Sequence, residues 1–262
     1  MMNDSAPIRR TSLKHRLKVG LRAAFARAAY ATGICGIVAR RSKTARLTIL
    51  ALHNVEDPPA TDFLPSDMKT PRPLFDELVA VLTRIFPTYT AADGARALRD
   101  GTLRGPAIAI TLDDGYRDNL RAGLPILRKH GAKGTVYVEA AAVSDRKLSW
   151  THCYFWVTRH KSFEFFLERY RALSSDREAI QKLEAEAKAG GDLRYHLKRI
   201  LKYHADVPDR DRVCEAILRE AGGNPNQIAG EIYLSPEEVK ELDAAGVEIG
   251  GHTVTHPILA RW

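Results

Sequence analysis

The chain has 262 residues, 45% of them apolar and 27% charged, with a formal net charge of +8. These proportions exclude a mostly disordered chain and a collagen-like one, and they leave room for one large domain or two small ones with a substantial core. Three widely spaced cysteines, Cys35, Cys153 and Cys214, form no CxxC pair. They argue against a thiolate zinc site or a disulfide framework and for buried thiols in a reducing compartment.

The positive charge is concentrated at the start. Residues 1–46 carry eleven Lys and Arg against one acid, Asp4. The remainder is slightly acidic, so no nucleic-acid partner is expected for the main domain. Residues 13–38 read as a basic amphipathic helix in which Leu13, Leu17, Leu21 and Phe25 share a face, with Gly33 and Gly36 weakening its end. The longest uncharged apolar stretch, 28–39, is far shorter than the roughly 20 residues a bilayer span needs. No convincing secretory signal precedes it. Two readings stand: residues 12–41 lie on an anionic membrane surface, or they pack on the domain with a solvated basic face. A cytoplasmic protein, peripheral to the inner face of a membrane, is the matching expectation.

No internal repeat or low-complexity tract is present. From residue 47 strands and helices alternate. Residues 47–52 read as a short buried strand that ends at His53 and a polar, proline-containing loop. Helical periodicity follows over 73–86, and a helix over 90–99 with Thr90 as its cap. A second buried strand, 107–112, runs into Asp113-Asp114-Gly115. A helix over about 119–130, stopped by Gly131, leads to a third strand, 134–139. Crossovers of this length predict a parallel sheet.

Residues about 145–230 break the rhythm with charged, strandless helical patterns at 163–173, 177–189, 193–204 and 209–221, which read as a helical insertion. The rhythm resumes at Ser235-Pro236-Glu237-Glu238, a strong helix start. A strand over 247–249 then reaches His252-Thr253-Val254-Thr255-His256-Pro257. The organisation predicted is a basic segment, 1–46, followed by one domain, 47–262, interrupted by the insertion.

Two features carry chemistry, each just past the end of a predicted strand, where parallel α/β folds place their sites. Asp113-Asp114 sets adjacent carboxylates after a buried strand, at a cost unless a cation or proton compensates. Taken alone, Asp-Asp-Gly is also good turn chemistry. His252-x-x-x-His256 puts two imidazoles on one face if the segment makes a single helical turn, cut short by Pro257; alone, it is also compatible with two unrelated loop histidines. Together, one carboxylate and two imidazoles suit zinc or a related divalent ion in a hydrolytic site, with the second carboxylate left to act as a general base.

Thr111-Leu112-Asp113-Asp114-Gly115-Tyr116 and His252-Thr253-Val254-Thr255-His256-Pro257 resemble, in order, the first two motifs of the polysaccharide deacetylases: carbohydrate esterase family 4, the nodulation-protein-B type of chitooligosaccharide deacetylase. The resemblance implies an α/β fold, a distorted (β/α) barrel, and a divalent metal, usually zinc or cobalt. It implies removal of an acetyl group, most often N-acetyl, from an acetylated glycan. Asp113 matches the family's catalytic base, and Asp114, His252 and His256 match its metal ligands. Leu112 stands where the family often has Phe. The later motifs, including the one that supplies the catalytic acid, do not follow His256 before Trp262. The resemblance therefore implies a C-terminally truncated barrel with its final strands missing, an exposed sheet edge, and a catalytically inactive metal- or glycan-binding domain as the alternative. His53, also past a strand end, is either a substitute for the acid or a structural histidine at the pocket wall. Trp150 and Trp156 either stack on a sugar ring or pack the insertion onto the barrel, and Arg117 and Asp118 either order the first motif's loop or lie on the surface.

Overall fold

The structure is a computed structural model describing residues 13–56, 61–190, 192–257 and 259. It begins with α1 (Leu13–Ala31) and α2 (Ile34–Arg41). The helix expected over 13–38 is thus broken: Gly33 sits at φ 74, a left-handed conformation glycine adopts without penalty, and a new helix starts after it. Leu21 and Phe25 are 73% and 76% exposed, so these two residues of α1 are not packed on the domain.

The central sheet is parallel, built from β1 (Arg46–Leu52), β4 (Thr88–Tyr89), β5 (Pro106–Leu112), β6 (Gly134–Val138) and β7 (Glu248–Gly251). The order is β1-β5-β6-β7, and β4 adds to the start of β5. A second small sheet pairs β2 (Asn54–Glu56) with β3 (Lys69–Pro71). β5 is covered on both faces, as its unbroken Ala-Ile-Ala-Ile-Thr-Leu run requires. β1 corrects an expectation. It is not buried but alternates half-buried and exposed residues, with Ile49 turned to solvent, because among the described residues it pairs with β5 alone. Leu50 and Leu52 supply its inward face. No closed barrel forms: β1 and β7 are the two edges of the sheet among the described residues.

Helices α3 (Arg72–Ile85), α4 (Ala91–Arg99), α5 (Leu124–Lys129) and α13 (Pro236–Ala244) accompany the strands. Thr90 caps α4 by accepting from the Asp93 N–H, and Ser235 and Glu238 form a reciprocal capping box on α13. The helix expected over 119–130 opens instead with a π-type turn, Asn119–Gly123.

Between β6 and α13 lie α6 (Ala140–Ser144), α7 (Trp150–His160), α8 (Phe163–Leu173), α9 (Arg177–Ala189), α10 (Leu193–Tyr203), α11 (Val207–Glu220) and α12 (Pro225–Ile232). Side-chain caps from Ser162, Asp176, Asp192, Asp206 and Asn224 start α8 to α12. These helices enclose a core of their own, which includes Phe166, Leu183, Leu197, Leu201, Cys214 and Ile217, apart from the core beneath the sheet. Trp156 belongs to it and stacks on His160, as a packing residue would. Cys153 and Cys214 are buried and free as expected, whereas Cys35 is only half-buried.

Candidate metal centre

Each of the four main strands is followed at once by a titratable residue. β1 is followed by His53, β5 by Asp113, β6 by Glu139 and β7 by His252. Parallel pairing brings these to one end of the sheet, so the fold gathers them without any side chain having to reach far. The Asp113 N–H donates to the Leu52 carbonyl and the His252 N–H to the Val138 carbonyl, which extends the ladder one step into the site.

Asp114, His252 and His256 converge, their donor atoms all within 4.8 Å of one another. His252 Nε2 is 3.4 Å and His256 Nε2 3.7 Å from Asp114 Oδ1, and the two imidazole centroids are 4.7 Å apart. Asp114 is buried, and its Oδ1 has no hydrogen-bond donor of normal geometry. His252 and His256 keep partly open outer faces. Asp113 is half-buried beside this group.

The local backbone is strained to achieve it. Asp114 (φ 71), Thr253 (φ 66) and His256 (φ 52) all lie in the left-handed region that non-glycine residues avoid. The segment holding the histidines is therefore a non-helical turn, not the single helical turn the spacing predicts. It is held by the start of α6, where the N–H groups of Ala140 and Ala141 donate to the carbonyls of Thr253 and Val254, and by Thr253 Oγ1, which accepts from the His256 N–H.

Comparison with known proteins places part of the chain. Residues 100–191 match the family model described as polysaccharide deacetylase. Over that segment the chain is similar to the polysaccharide deacetylase family. The matched segment includes Asp113 and Asp114 and ends before His252. A search of the curated proteins found no match. Among solved structures the chain is similar to the deacetylase PplD of Streptococcus pyogenes in complex with acetate, at 22% identity over 38% of this chain and 45% of that one, with a TM-score of 0.34. It is also similar to the deacetylase domain of BpsB from Bordetella bronchiseptica, at 21% identity over 37% and 38%, with a TM-score of 0.28. The chain thus spans less than half the length of either.

Sequence reasoning missed the layer that supports this candidate site. His152 is fully buried: its Nε2 meets the Tyr116 hydroxyl at 2.6 Å, and its Nδ1 meets Tyr233 and Ser149 oxygens at 2.7 Å. Burial pushes this imidazole down to about 4, Asp114 opposing and His256 assisting, so it is neutral. Glu139 is buried, and burial with the nearby Asp114 charge pushes its carboxyl up to about 8, against His252. Its place at a strand end was the available signal. Burial also raises the Asp113 carboxyl, with His252 and His53 opposing. Asp114 is pushed up by burial but pulled lower still by His252 and the other imidazoles, so it stays ionised.

Asp118 orders the first motif's loop. It is buried, accepts from the Asn54 side chain and from the Val55 N–H, and so ties the loop to β2. Arg117 pairs with Glu238 on α13 at 2.9 Å. His53, Asp114 and His256 sit at one end of a cleft of about 750 Å³ whose other wall is the insertion. Trp150 lines it too, but one ring face is taken by the Arg210 guanidinium at 4.8 Å.

Proposed function

We propose that the protein is a metal-dependent deacetylase that removes acetyl groups, N-acetyl above all, from a polysaccharide or chitooligosaccharide. One observation carries the reading: a buried carboxylate oxygen without a donor faces two imidazole nitrogens, all on strained turns at one sheet end. That donor set fits a divalent cation, and Asp114, His252 and His256 would hold it; its ligand chemistry suits zinc or a related divalent ion, and the family resemblance adds cobalt. When bound, such an ion supplies Lewis acidity toward the acetyl carbonyl and toward water.

The chain's own residues do the rest. Asp113 takes the proton of the attacking water on a carboxylate oxygen. Asp118 and Arg117 fix the loop from which Asp113 projects. His53, whose ring lines the same cleft, is the residue we test as proton donor to the leaving amine; it is dropped if His53→Ala leaves turnover unchanged.

The exposed Leu21, Phe25, Ile34, Ile37 and Val38, interleaved with Lys18, Arg22, Arg27 and Arg41, support a peripheral contact of residues 12–41 with an anionic membrane, at its cytoplasmic face. No described helix is long and apolar enough to cross a membrane.

The test is to measure zinc content and acetate release from N-acetylated chitooligosaccharide with the full chain. Zinc with acetate release supports the reading. Zinc without release favours a domain that binds metal or glycan but does not turn it over. Neither overturns it.

A further inference from the structure

The cleft that begins at His53, Asp114 and His256 runs on to one face of α10. Tyr195, Lys198, Arg199, Lys202 and Tyr203 follow the three- and four-residue spacing of a single helical stripe, and all five line the cavity. The opposite stripe, Leu197, Ile200 and Leu201, is buried in the insertion's core, so packing fixes which side of α10 faces the cleft. At about 750 Å³ the cavity lies within the roughly 300–1,000 Å³ of ligand pockets, well beyond what an acetyl group fills. A molecule whose acetyl group reaches Asp114 and His256 has this space beside it for the rest of its length.

The cations of this wall are already engaged. Arg199 pairs with Glu186, and the buried Arg210 of α11 pairs with Asp211 and the Leu201 carbonyl. Lys198 lies 4.8 Å over the Phe155 ring with the Asp67 charge acting on it, and Lys202 sits over Tyr203. What the wall leaves open is aromatic surface. Tyr195 is 62% exposed and Tyr203 47%. Among the described residues no cation lies over the Tyr195 ring, whose neighbour is the His196 imidazole in a T-shaped contact at 5.7 Å. Eight residues of helix separate the two tyrosines, about 12 Å along its axis, so one sugar ring cannot cover both.

We propose that this face of α10 is a distal sugar-ring subsite, in which Tyr195 and Tyr203 stack on separate rings of a glycan whose acetylated unit lies at Asp114, His252 and His256. The subsite deepens the deacetylase reading and rests on it for the identity of the ligand as a glycan. Its occupant follows from continuity, because one cavity holds Asp114 and His256 at one end and both tyrosines on its far wall. A phenol ring offers a flat apolar face to the C–H face of a sugar, and it has few rotamers to lose on contact. The substrate is thus an oligosaccharide of several units laid along the cleft, not a single acetylated sugar, and the insertion is the element that reads its length.

The experiment titrates the zinc-supplemented full chain with fully N-acetylated chitobiose, chitotriose, chitotetraose and chitopentaose, by calorimetry, and follows acetate release from each. The pentasaccharide should bind roughly tenfold tighter than the disaccharide, the size of one good aromatic contact. That gain should fall to about twofold or less in Tyr195→Ala/Tyr203→Ala, with the disaccharide affinity unchanged. It should return in Tyr195→Phe/Tyr203→Phe, because the ring and not the hydroxyl carries it. It should also persist at high salt, where a contact borne by exposed charges would be screened. Both side chains are exposed, so the variants leave the insertion's core intact. Equal affinity at every length, no binding of any probe, a gain that survives in the Ala variant, one that Phe fails to restore, or one that salt removes overturns the subsite. Absence of acetate release from every probe counts against the deacetylase reading alone, since the binding ratios still decide the subsite.

Discussion

Tyr116 and Tyr233 meet across an isolated antiparallel bridge, their rings stacked 6.1 Å apart, and both hydroxyls bind the one imidazole of His152. This pairing clamps the loop that carries Asp113 and Asp114 to the segment that follows the insertion. It also makes the clamp sensitive to acid. His152 is held at about 4, below its ordinary 6.5, so the unfolded chain binds a proton that the folded chain refuses between those two values. Stability should therefore fall as pH drops from 6.5 to about 4, by up to roughly 3 kcal/mol from this group. Denaturant melts of the chelator-treated protein against pH check it. His152→Asn should be less stable at pH 7 and show a shallower acid slope; an unchanged slope would count against the assignment.

Asp118 offers a second test, away from the donor group. Its carboxylate answers a buried side-chain amide and a backbone N–H, so Asp118→Ala strands both. A loss of about 2–4 kcal/mol in unfolding free energy is expected. A loss under 0.5 kcal/mol would mean that the Asn54–Asp118 tie is not structural.

The two adjacent aspartates should separate cleanly. Asp114→Ala, His252→Ala and His256→Ala each remove a donor and should weaken zinc binding by more than the roughly 10–100-fold that an outer partner costs. Asp113→Asn should keep zinc binding and cut acetate release by roughly 10²–10⁴-fold. Zinc affinity retained in a His252→Ala/His256→Ala double variant would remove the proposed centre.

For the N-terminal helices, the full chain should cosediment with vesicles containing anionic lipid and not with neutral phosphatidylcholine vesicles, and the binding should weaken as salt rises. Leu21→Asp/Phe25→Asp should abolish it. Equal binding to neutral vesicles, or none to either, would leave the exposed Leu21 and Phe25 of α1 without this explanation.

What was legible in the sequence was local. Ser235 with Glu238, Thr90 and the apolar 107–112 run each announce an element within a few residues, and the structure bears them out. The convergence of Asp114, His252 and His256 was foreshadowed because two short motifs at strand ends carry them. What escaped was whatever depends on distant partners. His152 contacts residues 36 and 81 positions away, and nothing near it in sequence announces a buried imidazole. Burial of β1 was misread because an apolar run reads the same whether or not a neighbour covers its second edge. The non-helical turn at His252–His256 follows from how α6 pins its carbonyls, again a long-range effect.

The pairing of β6 with β7 has a kinetic side. Val136 and Ile249 are register partners, yet the whole insertion lies between them in the chain. Such a non-local contact demands a large loop-closure entropy before it returns any contact energy, so it belongs late in folding. The insertion eases this: its helices are locally capped and share their own core, so they can collapse first and draw the two strands together. Pulsed hydrogen exchange should find α8 to α11 protected before β7; the reverse order would exclude this sequence of events. His252, the residue immediately after β7, joins Asp114 only once that last seam of the sheet has closed.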